Sequence, residues 1–557
     1  KDAVLDPQAM EVAGALMGSM IFCLSSGQEI KLNEGDYIVV GHDNGPTSKA
    51  LSDAFSKGLT SQGINVYYIG IASSGQVYHN QQQLKAQGHV QITRSHVEVT
   101  SNGAKFAIGN YGIHTYLLAQ MNEAAGRAQL GKETAQGKVI DKVTEGKKLY
   151  TERMVARYGD YFAKHPRKIG LNLCGGTAVN YKDMFIKIFG AETVILGDSL
   201  NVNEGSLLAD PTRKEMLAQV PGLSEALKDG VRVYSFDLDA DRLSISEGVE
   251  ALDVAGEGHY MGDDIAYITA AHKLKKAVPS LFTALDDKYD RETLDKIHKI
   301  VTTAYVDPRY SSSVRGYILQ SGGQSSYHRK GHSLWKESMS ANMEELAELT
   351  GYSSIEAFVK ALHYQDIQIE ASLHFFTSDM EDGTVRDDGL ESVFILEKMM
   401  DALQITSMKT FFAGIPKRFV TKEIRTNSKS NEHKEKITYA IIDELKKTFH
   451  KEPHSIVEFD GQLRVDWDSG FLMYGMSNTS PKLTFMAEGA TAGERNNTLA
   501  YILAVNNSAK ARFGDDLPMD LSENNFFTDD SSYNMPNPDQ ISFEDTRVKA
   551  FIKEHNI

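Results

Sequence analysis

Cysteine is nearly missing from this sequence: Cys23 and Cys174 are the only two in 557 residues. Two scattered thiols supply neither a disulfide framework nor a zinc spacing, which suits a reducing compartment and a cytoplasmic protein. Basic residues are also short, 59 Lys and Arg against 75 Asp and Glu, for a formal net charge of −16. That balance argues against the basic surface with which proteins hold nucleic acid or anionic membrane. An anionic substrate must then be met by local Arg, Lys or metal. Long apolar runs are absent too. "VAGALMGSMIFCL" is shorter than the ~18 residues a membrane span needs, has no basic stretch before it, and is expected to be a buried helix. Only 13 prolines punctuate the chain, and 41% of residues are hydrophobic against 24% charged, an ordinary globular balance. The chain is too long for one core, and at ~100–200 residues per domain roughly three or four are expected. It opens on Lys1, not methionine, so a longer native N-terminus is expected.

What is present alternates. "AMEVAGALMGSMIF" has helical spacing, "DYIVVGHD" is a β-branched run, "SKALSDAFSKGLTSQG" is amphipathic, and "INVYYIGIAS" is strand-like again. This β-α-β grammar returns at "RKIGLNLCGG", "AVNYKDMFIKIFG" and "AETVILGD", and a third time from "TTAYVDPRYSSSVRGYILQSGG". Beyond about residue 410 the rhythm changes. "KEKITYAIIDELKKTF" reads as a helix, and "HSIVEFDGQLRVDWDSGFLMYGMS" as hairpin strands turning at Asp460-Gly461 and Ser469-Gly470. The expected fold is α/β: three related α/β mixed-sheet domains plus a smaller α+β C-terminal domain. The last residues, with "DDLPMDLSENNFFTDDSSYNMPNPDQ", are acidic and turn-rich and read as an extended arm or a partly disordered tail.

Two stretches carry chemistry. In "SFDLDADRLSIS", Asp237, Asp239 and Asp241 alternate directly after a strand-like run. Extended, they share one face; turned, Ala240 is small enough to let a tight loop gather them. Crowded carboxylates repel unless a hard divalent cation takes their oxygens, and Arg242 adds a fixed fork suited to phosphate. A solvated acidic turn, or an aspartyl-phosphate phosphatase with D-x-D after a strand, are the other readings of this loop. The second stretch, "TRSHVEVTSNGAKF", is either a polar hairpin or a loop built to carry a phosphoryl group on Ser95.

Side by side, the two resemble the α-D-phosphohexomutases, most closely the bacterial phosphomannomutase/phosphoglucomutase branch. Thr93, Ser95, His96, Asn102, Gly103 and Lys105 match the family's T-A-S-H-N-P…N-G-x-K loop. Asp237, Asp239, Asp241 and Arg242 match D-G-D-x-D-R. Glu370, Ser372 and His374 in "IEASLHFF" match the sugar loop, "KGHSLWKESM" brings in His332, and "VDPRYSSS" resembles a D-x-K-x-[ST] segment. Ser477, Asn478, Thr479 and Pro481 in "GMSNTSPK" match the C-terminal phosphate loop.

The resemblance implies an enzyme that interconverts hexose 1-phosphate and hexose 6-phosphate, of mannose, glucose or both, through a phosphoserine and a bisphosphorylated sugar. Ser95 would carry the phosphoryl group and, with Asp237, Asp239 and Asp241, hold Mg²⁺. Lys105 would be the general acid/base, which requires its pKa to fall from near ~10.4. Arg242 and His332 would assist. Glu370, Ser372, His374, Arg309, Arg329, Ser477, Asn478 and Thr479 would bind substrate. A glucose 1,6-bisphosphate-type activator is implied, with hexose phosphates as partners of a monomer or dimer alike. The implied domains are 1–140 (phosphoserine loop), 141–270 (metal), 271–408 (sugar recognition), 409–505 (C-terminal phosphate) and 506–557 (acidic extension).

The sequence departs from the family at its phosphate-gripping arginines. Gly45 and Gly475 stand where the family has arginine, and Met486 fills a third such position. Arg94, Arg309, Arg329 and Lys482 are the candidate replacements, Arg94 standing in for the cation lost at Gly45. Val97-Glu98 replaces Asn-Pro, and Leu238 and Leu373 replace glycines. The alternative is therefore a mutase-fold protein of lost or divergent activity that binds sugar phosphate or a partner.

Overall fold

The structure, a computed structural model, describes residues 6–24, 27–95, 102–109, 111–113, 115–126, 136–200, 210–211, 214–253, 258–260, 268, 272, 367–369, 375–378, 385–413, 419–420, 424–448, 455–459, 462–467, 470–476, 481–489 and 491–515. They fall into two compact units, one up to Ala413 and one from Phe419 onward. The fold is mixed α/β with several sheets. Among the described residues no helix is long and apolar enough to cross a membrane.

The first helix, α1 (Pro7–Ser19), starts on two favourable signals. The Asp6 carboxylate accepts from Ala9 N at 2.7 Å, and Pro7 supplies a preset φ where no intrahelical bond is lost. It stops at Met20, which is extended, and Ile21–Cys23 (β1) pairs antiparallel with Glu29–Lys31 (β2). The run expected as one buried helix is therefore helix, then strand. Its Ile-Phe-Cys end suits a pleated surface, and Ile21 is 50% exposed there. Helix α1 packs on α2 (Ser48–Thr60) at backbone contact, because a Cβ on Gly58 would lie 2.1 Å from Glu11 O. Gly58→Ala is expected to cost about 1–3 kcal/mol by overpacking, read as a lower urea midpoint at unchanged m-value.

β3 (Tyr37–His42), α2 and β4 (Asn65–Ile71) form the expected β-α-β unit with parallel strands. α3 (Ser74–Gln83) leads to β5 (Gly88–Thr93), parallel to β3, which returns antiparallel as β6 (Gly103–Ile108) and β7 (Tyr111–Gly112). Helix α4 (Thr115–Ala125) follows, and β8 (Val139–Asp141) closes the order β7-β6-β5-β3-β4-β8.

His42 ends β3 almost fully buried, with Nδ1 2.6 Å from Asp43 O and Nε2 2.8 Å from Tyr68 Oη. A carbonyl only accepts, so Nδ1 carries the proton and Nε2 accepts from the tyrosine. Burial holds the imidazole below its ordinary 6.5, outweighing the pull of Asp43 in the other direction. A base depressed in the folded state stabilises fully above the unfolded pKa, and that stability is lost as pH falls below it. Between about pH 7 and about pH 5 the wild type should lose on the order of 1 kcal/mol more stability than His42→Gln, measured by urea unfolding at both pH values.

After α5 (Val143–Lys164) a second sheet repeats the plan. β9 (Ile169–Asn172), α6 (Lys182–Phe189) and β10 (Val194–Leu196) form a second parallel unit. β11 (Arg232–Phe236) runs parallel to β9, then returns antiparallel as β12 (Leu243–Ser246) and β13 (His259–Tyr260), in the order β10-β9-β11-β12-β13. In both sheets one loop joins a parallel strand to its antiparallel return. Those two loops are the Ser95 and triple-aspartate stretches. The third expected unit lies largely outside the described residues, which include there only β14 (Ile367–Ile369), β15 (Phe375–Ser378) and β16 (Val385–Asp387) before α7 (Gly389–Ala402).

The second unit is antiparallel. β17 (Phe419–Val420), β18 (Ile424–Asn427), α8 (Asn431–Thr448), β19 (Ser455–Phe459), β20 (Gln462–Trp467), β21 (Gly470–Met476) and β22 (Lys482–Gly489) precede α9 (Ala492–Arg512). The sheet order is β17-β22-β21-β20-β19, with β18 also on β22, and Ile441, Leu463, Phe485 and Ile502 share its core. Phe459 pairs with Gln462, as the first expected turn requires. Trp467 pairs with Gly470, so Gly470 opens a strand and does not close the second turn. Helix α9, capped by Thr491 and Glu494, runs through the expected 505/506 boundary to Arg512.

Candidate active site

The site begins at the C-terminal ends of β3 and β5. Asp43, fully buried, accepts from Gly45 N at 2.7 Å, Thr93 Oγ1 at 2.9 Å and Arg94 N at 2.9 Å, and from the Ser48 hydroxyl. Thr93 Oγ1 in turn accepts from Ser95 N at 2.8 Å. A relay of hydrogen bonds thus fixes the backbone at Ser95, which adopts φ +54°, a left-handed conformation that a residue with a Cβ rarely takes.

The acidic loop 237–242 bridges β11 and β12, whose ends pair Phe236 with Leu243. It turns: Ala240 has φ +55° and donates its N–H to Asp237 O at 3.2 Å. Asp237 Oδ1 accepts from the N–H groups of Asp241 and Arg242, both at 3.1 Å. Leu238, at a glycine position of the resembling family, has no positive φ and is buried against Cys174. Two glycines admit the loop to its neighbours. A Cβ on Gly176 would lie 2.8 Å from Leu238 O, and one on Gly389 2.8 Å from Ala240 O.

The two loops meet. Ser95 Oγ donates to Asp237 Oδ2 at 3.0 Å, while Arg242 Nη1 donates to that same carboxylate oxygen at 2.8 Å and to Ser95 Oγ. Lys105 sits on β6, where Gln91 pairs with Lys105 and Thr93 with Gly103, so the β5–β6 ladder brings it beside Ser95's loop. Its ammonium donates to Asp239 Oδ2 at 3.0 Å and to Asp241 Oδ2. Three carboxylates thus face two cations in a buried cluster. Burial first, then Asp241 and Asp239, pushes the Asp237 carboxyl well above the usual range, with Arg242 opposing. Asp239 is raised by burial and Asp241, against Lys105 and Ser74.

These residues fit a divalent cation. One oxygen from each of Asp237, Asp239 and Asp241 lies within 4.8 Å of the others, and all three side chains are fully buried. Asp239 Oδ1 is buried and takes no hydrogen bond among the described residues, a costly arrangement unless a cation uses that oxygen.

Arg94 is 2% exposed, and its Cδ lies 3.5 Å from where a Gly45 Cβ would be. Its side chain thus lies at ordinary contact distance from position 45, where a Cβ would first meet Ser48 Oγ at 2.7 Å and Asp43 Oδ1 at 2.9 Å. Burial lowers its pKa, opposed by Asp43. His96, Arg309, Arg329, His332, Glu370, Ser372, His374, Ser477, Asn478 and Thr479 lie outside the described residues. Sequence reasoning missed the part played by Asp43 and Ser74, although Asp43 stands two residues before Gly45, a position the sequence singles out, and could have been found there.

The family description "Phosphoglucomutase/phosphomannomutase, alpha/beta/alpha domain I" matches residues 9–115. A phosphoglucosamine mutase of Natranaerobius thermophilus is 26% identical over 297 residues, 50% of this chain and 66% of the relative. One of Nostoc punctiforme is 29% identical over 255 residues, 43% and 47% of the two chains. The chain thus matches about half to two thirds of the length of these relatives. A phosphoglucomutase/phosphomannomutase family protein of Burkholderia thailandensis shares the fold with TM-score 0.61 at 18% identity, over 92% of this chain and 95% of that one. The fold is shared with a phosphoglucomutase/phosphomannomutase family protein, and the Ser95 turn lies within the span that matches that family's domain I. Residues 9–115 match domain I of the phosphoglucomutase/phosphomannomutase family, and the chain is similar to phosphoglucosamine mutases over about half its length.

Proposed function

We propose that the chain is a phosphohexomutase that moves a phosphoryl group between O1 and O6 of a hexose phosphate by way of Ser95. The observation that carries this reading is the Ser95 hydroxyl held 3.0 Å from Asp237, at the edge of a buried three-aspartate cluster that also includes Arg242 and Lys105. Asp237, Asp239, Asp241 and phosphorylated Ser95 would hold Mg²⁺, which when bound neutralises phosphate charge.

The chain's own residues do the rest. A sugar hydroxyl oxygen attacks the phosphorus of phospho-Ser95, the P–Oγ bond breaks, and the hydroxyl proton passes to Lys105, which must first give up the proton by which it pairs with Asp239 and Asp241. Returning the other phosphate to Ser95 reverses each transfer. Arg242, donating to Ser95 Oγ, offsets charge on the leaving serine oxygen. Arg94, buried beside Gly45, supplies positive charge next to the serine turn. His332 as proton carrier, and Glu370, Ser372, His374, Arg309, Arg329, Ser477, Asn478 and Thr479 as substrate contacts, rest on the motif resemblance.

Mannose and glucose are the proposed sugars, and the curated relatives add glucosamine to the set to be tried. The deciding assay supplies Mg²⁺, a catalytic amount of glucose 1,6-bisphosphate, and glucose, mannose or glucosamine 1-phosphate in parallel. A 6-phosphate product from at least one sugar, with phosphate on Ser95, is expected. No product from any of the three and no phosphoserine would overturn the proposal.

A further inference from the structure

We infer that Ser74, a residue without an assigned role, is a positioning residue that orients Asp239 so that one carboxylate oxygen is kept for the cation. Its catalytic consequence rests on the phosphohexomutase reading; its metal-binding consequence does not. Ser74 opens α3, is fully buried, and lies 165 positions from the aspartate it touches.

Its hydroxyl donates to Asp239 Oδ2 at 2.8 Å, and its N–H donates to Asp239 O at 3.0 Å. Lys105 Nζ donates to the same Oδ2 at 3.0 Å and reaches the Ser74 hydroxyl at 3.4 Å. Both donors therefore converge on one oxygen of Asp239. The other, Oδ1, remains buried without a hydrogen bond among the described residues. A carboxylate free to rotate would share its donors between both oxygens. Ser74 prevents this by gripping the residue at backbone and side chain together.

Ser74 is itself held rigidly. Ser73 caps α3, its hydroxyl accepting from Gln76 N at 3.2 Å, and its own N–H donates to Tyr181 Oη at 3.1 Å. On the other side Gly75 admits the Asp388 carboxylate, since a Cβ there would lie 2.1 Å from Asp388 Cγ. The next residue, Gly389, donates its N–H to Ala240 O at 3.0 Å. The turn 73–75 and the start of α7 thus grip the acidic loop on either side of Asp239 and Ala240. Removing the Ser74 hydroxyl leaves this scaffold in place and frees only the carboxylate.

The test titrates Mn²⁺ into the full chain without sugar, following free Mn²⁺ by electron paramagnetic resonance, for wild type, Ser74→Ala and Ser74→Thr. Ser74→Ala is expected to bind Mn²⁺ about tenfold more weakly, the usual scale for a residue that orients a metal ligand, with little change in melting temperature. Ser74→Thr keeps the hydroxyl and is expected to recover most of the affinity. In turnover, the Mg²⁺ concentration for half-maximal rate should rise by the same factor in Ser74→Ala, with a smaller change in kcat at saturating Mg²⁺. Wild-type Mn²⁺ affinity in Ser74→Ala, or no stoichiometric Mn²⁺ binding by the wild type, overturns the inference. A wild type that binds Mn²⁺ in a Ser74-dependent way but turns over no hexose phosphate overturns the mutase reading and leaves this one standing.

Discussion

Ser95→Ala is expected to abolish phosphoryl transfer, with kcat lower by on the order of 10⁴-fold or more and no phosphate on the protein by intact mass. The size follows from the chemistry: without the hydroxyl there is no covalent carrier, and among the described residues no neighbouring hydroxyl takes the place of Ser95 Oγ beside Asp237 and Arg242. Folding should be almost unaffected. Arg242 keeps its 2.8 Å bond to Asp237, so no charge is left alone when Oγ is removed. Ser95→Gly sharpens the test. A left-handed φ of +54° costs a residue with a Cβ roughly 1 kcal/mol, which glycine avoids. Ser95→Gly should therefore be about as stable as the wild type, or more so, and equally inactive. Retained turnover in either variant, or phosphate mapped to another residue, would remove Ser95 from the mechanism.

The largest effect on stability is expected at Asp43. Its buried carboxylate accepts from Gly45 N, Ser48 Oγ, Thr93 Oγ1 and Arg94 N, joining the β3–α2 turn to the end of β5. Asp43→Ala strands those donors. Each buried unsatisfied group costs about 1–3 kcal/mol, and since such costs are not additive a total of about 3–5 kcal/mol is expected, read by urea unfolding. Asp43→Asn should recover little, because its amide can offer only one accepting oxygen to this set of donors. Ser95 phosphorylation should fall as well, since Thr93 Oγ1 links Asp43 to Ser95 N. A loss below about 1 kcal/mol would show that Asp43 does not organise the turn.

Much of this site could be read along the chain because it is built from short loops. The relation of Ser95 to Lys105 follows from one antiparallel pair, β5 and β6, whose register places Gln91 opposite Lys105. The three aspartates converge because Ala240 lets five residues turn back on themselves, the tight-loop alternative rather than the extended one. Even the glycine positions taken by leucine could be half judged in advance. A side chain at 238 matters only if φ is positive, and the positive φ falls two residues later.

Other features could not be read this way. The mixed end of the run after α1 was mistaken for helix because apolar spacing over a few residues does not separate a helix end from an edge strand. The place of Gly470 was missed by one residue, since strand register is decided by pairing across the sheet. Ser74 is an unremarked polar residue in its own segment and acquires meaning only from Asp239, far away in sequence.

By itself, then, the sequence determined which groups are available and which local turns present them: a serine, a lysine and three aspartates at spacings that short loops can gather. The tertiary structure decided which oxygen of Asp239 takes no hydrogen bond among the described residues, which donors hold Asp43, and that Arg94 is buried beside Gly45. The physical reason is range. A turn depends on backbone conformation over a few residues, whereas the direction of a buried carboxylate depends on donors delivered by other strands and helices, which only the packed fold brings within hydrogen-bond distance.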